Sequence, residues 1–207
     1  KFIIKENSTI KELLKQVEGS DNVIAATING EVVELSYILT KDTKLKLIRT
    51  NDRIGRKIYR SGLKYLYITA IKELYGSDTN VSLLHSIDKG IYTYLDKENI
   101  TDETINEIKE KMKELVEKDL PIERVSTSRK SAIQYFESIH ETEKVESYKQ
   151  MSSEFVTLYE FLEYYNYFYY FMPVSTGILK DFNLTKINSH GIILQYPSDI
   201  DNKIPKY

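Results

Sequence analysis

Residues 8–35 read Ser8-Thr9-Ile10-Lys11-Glu12-Leu13-Leu14-Lys15-Gln16-Val17-Glu18-Gly19-Ser20-Asp21-Asn22-Val23-Ile24-Ala25-Ala26-Thr27-Ile28-Asn29-Gly30-Glu31-Val32-Val33-Glu34-Leu35. Thr9 with Glu12 three residues on is a capping box, in which hydroxyl and carboxylate satisfy orphan amides at a helix start. Ile10, Leu13, Leu14 and Val17 then recur at helical spacing, and Gly19 stops the helix. Val23 to Ile28 predicts a strand. Asn29-Gly30 is the strongest short hairpin signal, because both residues tolerate positive φ, and Glu31 to Leu35 returns as the partner strand. Working outward, Phe2-Ile3-Ile4-Lys5 predicts a preceding strand, and Leu45, Leu47 and Ile48 a closing one. One helix laid on a small mixed sheet buries the apolar side of both.

These fifty residues resemble a TGS domain, a ubiquitin-like β-grasp module. The resemblance rests on Ser8 to Leu13, Ala25 to Glu31 and Leu35-Ser36-Tyr37. TGS domains occur in threonyl-tRNA synthetases, stringent-response enzymes, some GTPases and uridine-kinase-like proteins. The resemblance implies a regulatory or RNA-related role without chemistry of its own.

The chain has 207 residues, enough for one large domain or two small ones. With 41% hydrophobic and 29% charged residues it is expected to be globular. No apolar run is long enough for a membrane span, there is no secretory signal, and no membrane partner is expected. The sequence does not begin with Met, which suggests processing or excision. The formal net charge of −2 selects no partner. Cysteine is absent, which excludes disulfides, zinc ribbons and thiolate catalysis and fits a cytoplasmic protein. Tyrosine is abundant at 17 residues, giving apolar area plus hydroxyls that need partners.

Beyond residue 50 the pattern predicts a second domain, 51–207. Ile54, Ile58, Leu63, Leu66, Ala70, Ile71 and Leu74 mark a helix ending at Gly76. Val81 to His85 and Ile91 to Leu95 read as strands joined through Asp88-Lys89-Gly90. Thr101 caps a helix over Ile105, Ile108, Met112, Leu115 and Val116, ended by Pro121. Shorter helices follow around Ala132 to Phe136 and Val145 to Tyr148. From Phe155 the chain turns β-like: nine of the thirteen residues from Tyr159 to Phe171 are Tyr or Phe, favouring a sheet over a base-stacking surface. Gly191 to Tyr196 reads as a closing strand, and Ser198 to Lys203 as a polar tail.

This part resembles the editing-type α+β domain beside TGS in threonyl- and alanyl-tRNA synthetases. Its anchors are the helix Tyr65 to Tyr75, the hairpin Ile87 to Tyr92 and the helix Ile105 to Leu120. Editing domains hydrolyse a mischarged aminoacyl ester with two His four apart on the first helix and a later Cys and His. The helical pair falls here on Ser61 and Tyr65, and the later segment near Tyr169-Tyr170-Phe171-Met172-Pro173, which has neither Cys nor His. Hydroxyl groups do not replace imidazole near neutral pH, so these positions read as degenerate and no catalytic or metal-ligating residue is assigned.

Two groups remain as candidates. Between Lys41 and Lys64 nine Lys or Arg face two Asp, and Arg49, Arg53, Arg56, Lys57 and Arg60 could hold phosphates of tRNA or another RNA; a solvated face is the alternative. His85, Ser86 and Lys89 at a strand end, with His190 ahead of the last strand, could bind a small ligand; partly buried structural histidines are the alternative. A TGS module followed by an editing-like domain without His most resembles the front of bacterial uridine-kinase-like nucleoside kinases. That resemblance implies a kinase domain downstream, with ATP and Mg2+ acting there; these residues contain no phosphate loop and need no cofactor. The other two readings are the N-terminal region of a threonyl-tRNA synthetase and a stand-alone interaction module.

Overall fold

The structure is a computed structural model that describes residues 2–87, 90–97 and 99–206. Among these residues the architecture is mixed α+β, with three antiparallel sheets. In chain order the elements are α1 (Ile10–Leu14), β1 (Val23–Ile28), β2 (Glu31–Glu34), β3 (Leu45–Arg49), α2 (Arg53–Tyr75), β4 (Val81–Ile87), β5 (Gly90–Leu95), α3 (Asp102–Glu117), β6 (Glu123–Ser128), α4 (Arg129–Ser138), α5 (Thr142–Lys149), β7 (Phe155–Phe161), β8 (Tyr164–Asn166), β9 (Asn183–Lys186) and β10 (Gly191–Gln195). A 3-10 turn covers Thr176–Ile178.

The first sheet has the order β2-β1-β3. The hairpin forms with Ile28 opposite Glu31, and Asn29 (φ 52°) and Gly30 (φ 88°) take the two positive φ values such a turn needs. The capping box is present: Glu12 N donates to Thr9 Oγ1 at 3.2 Å and Thr9 N to Glu12 Oε2 at 2.7 Å. Helix α1 ends at Leu14, earlier than the apolar spacing predicts, because Gln16 and Val17 donate to carbonyls only three residues back. The strand expected over Phe2 to Lys5 is not formed. Among the described residues no strand offers this segment a hydrogen-bond ladder, and Phe2 and Ile3 are exposed.

Helix α2 is the spine of the molecule. Ile24, Ala25 and Ile48 from the first sheet share one core with Leu63, Leu66, Ala70 and Ile71 of α2 and with Ile108, Met112 and Leu115 of α3. Each such aliphatic side chain taken fully out of water contributes about 1.5–3 kcal/mol, so the helix forms because its apolar stripe meets two layers at once. The second sheet runs β4-β5-β10-β9. Its buried face carries Thr93, whose hydroxyl lies 2.8 Å from Tyr67 Oη of α2. The third sheet, β6-β7-β8, is covered by α4 and α5 around Phe136, Val145, Tyr148 and Leu158. The aromatic block is therefore strand only as far as Asn166; residues 167–171 are irregular. Among the described residues, no helix is long and apolar enough to cross a membrane.

Candidate functional site

Helix α2 carries most of the residues singled out from the sequence. Ser61 and Tyr65 lie one turn apart on its buried face. Tyr65 Oη donates to the Tyr159 carbonyl at 2.8 Å and also lies within reach of the Tyr164 carbonyl. Its ring packs edge-on to Phe161, with centroids 5.7 Å apart, and tilted against Phe168 at 5.0 Å. Burial pushes its phenol pKa well above the usual range, so the group stays protonated and keeps the hydrogen bond it donates. Ser61 has no imidazole or carboxylate hydrogen-bonded to it among the described residues.

The segment Tyr169 to Pro173 crosses the same face of α2. A Cβ added at Gly62 would sit 2.6 Å from Pro173 Cγ, so only glycine lets the chain pass this close. Met172 and Pro173 are buried there. Met172 N donates to Glu34 Oε1 at 3.3 Å, and Tyr159 Oη donates to the same oxygen at 2.6 Å. A buried carboxylate at the end of β2 thus ties the first sheet to β7 and to the crossing segment. Sequence reasoning missed Glu34; the hairpin placed it at a strand end, but its partners lie more than a hundred residues away.

The basic run is not free along its whole length. Arg49 is already engaged, donating to the Gly19 carbonyl at 2.7 Å and to Asn22. Arg56 and Arg60 both pair with Asp199, at 3.1 and 2.5 Å, and Arg60 lies 4.2 Å above the Tyr196 ring. Asp199 belongs to the polar tail, whose acidic residues were the available signal. Arg53 and Lys57 stay exposed on the outer side of α2. Lys57 Nζ is 3.3 Å from Tyr170 Oη.

The histidines share a sheet face rather than a pocket. His85 on β4 is exposed, with its ring 5.4 Å from Tyr92. His190 precedes β10 and stacks on Tyr94 at 5.3 Å; its Nδ1 is buried without a hydrogen-bond partner. Tyr92 and Tyr94 are two apart on β5 and therefore point to the same side. Ser86, opposite Ile91, points to the other side. Lys89 lies outside the described residues. Neither histidine lines either large cavity, one of about 850 Å³ between the first sheet and α3 and one of about 930 Å³ beneath residues 2–6.

No family model matches the chain. Curated relatives do: it is 30% identical to the threonine–tRNA ligase of Acetivibrio thermocellus over 186 residues, 88% of the chain and 29% of that protein. It is 34% identical to the threonine–tRNA ligase of Janthinobacterium sp. (strain Marseille) over 166 residues, 79% and 26% of the two lengths. For that of Sulfurihydrogenibium sp. (strain YO3AOP1) the figures are 30% over 153 residues, 72% and 24%. These relatives correct the expected parent: they are ligases that charge tRNA, and they give no support to a nucleoside kinase or to a kinase domain downstream. The chain is a distant homologue of threonine–tRNA ligases and spans about a quarter of the length of the curated relatives it matches.

Proposed function

We propose that this chain is the TGS and editing-type region of a threonyl-tRNA-synthetase-related protein, and that it contacts tRNA without hydrolysing the aminoacyl ester. In this reading residues 1–50 form the β-grasp TGS module and residues 51–207 the editing-type domain. The observation that carries it is the packing on α2. Where ester hydrolysis needs a base beside a water, Tyr65 fills the space as a buried phenol and Met172-Pro173 close over its neighbours. What such a surface retains is recognition: Arg53 and Lys57 remain exposed for phosphate.

The test is deacylation of seryl-tRNA specific for threonine, together with binding of the uncharged tRNA. The expected outcome is hydrolysis at the uncatalysed rate and binding that weakens as salt rises. Turnover abolished by Ser61→Ala would overturn the non-hydrolytic reading. Binding indifferent to salt and to Arg53→Glu would overturn the tRNA contact.

A further inference from the structure

Residues 167–172 send their side chains to two destinations. Phe168 rests against Tyr65, Phe171 packs on the main core and Met172 is buried. Tyr167, Tyr169 and Tyr170 turn outward, with 51%, 84% and 42% of their surface exposed. Large apolar side chains usually reach a protein surface singly, and a concentrated patch marks an interaction site. The inward-facing residues fix the segment, so the outward tyrosines are held by a braced backbone.

Beside this ledge runs a line of cations. Arg53, Lys57, Arg60 and Lys64 recur at i, i+4, i+7 and i+11 of α2, one helix face, over a length of about 16 Å. Lys57 Nζ stands 5.0 Å from the Tyr170 ring centroid. Lys64 is half-buried; desolvation and Arg60 lower its pKa while Tyr170 acts the other way, which puts all three groups in one neighbourhood. Arg60 is paired with Asp199. Arg53, Lys57 and Lys64 form no ion pair among the described residues.

We propose that this ledge binds an unpaired stretch of RNA, whose bases stack on Tyr169 and Tyr170 and whose phosphates lie along Arg53, Lys57 and Lys64. Aromatic faces beside unpaired cations are the combination that holds single strands. Every base offers a face to stack, whereas a duplex keeps its base faces hidden. The proposal rests on the RNA-contacting reading given above and names the part of the RNA that this surface takes.

Fluorescence anisotropy tests it with the 207-residue chain and three labelled probes: an unstructured RNA of about a dozen nucleotides, the same sequence as a duplex, and tRNA. The single strand is expected to bind more tightly than the duplex. Tyr169→Ala with Tyr170→Ala should weaken single-strand binding at least about 10-fold, while Tyr169→Phe with Tyr170→Phe keeps it. The thermal midpoint should not move, because Tyr169 and Tyr170 are both exposed. Lys57→Gln should make the salt dependence shallower by about 0.7 in log–log slope. If the alanine pair binds the single strand within about twofold of the parent and tRNA is still bound, the ledge is wrong and the tRNA reading stands. If the chain binds none of the three probes, the ledge and the tRNA reading both fall. A concentration-dependent dimer lost in the alanine pair, with RNA affinity unchanged, would make the ledge a self-association surface and overturn the proposal.

Discussion

Tyr65 is a core residue that carries a polar group into the interior. Its hydroxyl and its ring contribute separately. Tyr65→Phe keeps the contacts with Phe161 and Phe168 but removes the donor to the Tyr159 carbonyl, and should destabilise the chain by about 1 kcal/mol. Tyr65→Ala adds a cavity and should cost about 3–5 kcal/mol. Denaturant midpoints of the two variants check the order. Glu34 is the complementary case, a carboxylate buried with two donors that come from Tyr159 and Met172. Glu34→Ala orphans both, at about 1–3 kcal/mol for each. Proteolysis should then cut first near residues 169–172, since Met172 loses its tie to the first sheet.

At the scale of elements, α3 depends on its start. Thr104 N donates to Thr101 Oγ1 at 3.2 Å and Thr101 N to Thr104 Oγ1 at 3.3 Å, while Asp102 and Glu103 occupy the positive end of the helix. Thr101→Ala should cost about 1 kcal/mol, read as a lower thermal midpoint with unchanged circular dichroism at low temperature. The same element was legible in the sequence, as were α2 and the Asn29-Gly30 hairpin, because caps, turn residues and a 3.6-residue period are local. What escaped was non-local or weakly patterned. β6 carries one clearly apolar residue, Val125, among Ser, Thr and charged groups, so nothing alternates. β9 is four residues long. Phe2 to Lys5 has strand composition, but a strand is a pairing, and composition names no partner. The basic run split for a related reason: Asp199, which claims Arg56 and Arg60, lies 139 positions after Arg60.

For the whole molecule, the abundance of buried tyrosine sets a limit on pH. Desolvation raises the phenol pKa of Tyr59, Tyr65, Tyr67 and Tyr159, and takes those of Tyr148 and Tyr164 to about 12. In the unfolded chain these groups ionise near the ordinary value of about 10. A folded value above the unfolded one means the stabilisation is complete below about pH 10 and lost as pH rises through the folded values. Stability measured by urea titration should therefore be flat with respect to these groups up to about pH 10 and fall steeply beyond it. Phenolate absorbance should appear in two stages, exposed rings first and buried rings together with unfolding.

The second sheet also governs how the chain is made. Its interior strand β10 is the last strand among the described residues, and the bond from Thr93 Oγ1 to the Ile192 carbonyl joins positions 99 residues apart. Lys11 Nζ reaches Ser175 Oγ across 164 positions. During synthesis, α2, β4, β5 and α3 all leave the ribosome before the strand that completes their sheet, and the edge of β5 waits unpaired. Contacts this distant in sequence are paid for in loop entropy before they return anything, which places folding in the slow range of milliseconds to seconds. Until β10 emerges, that edge of β5 is open to wrong pairing.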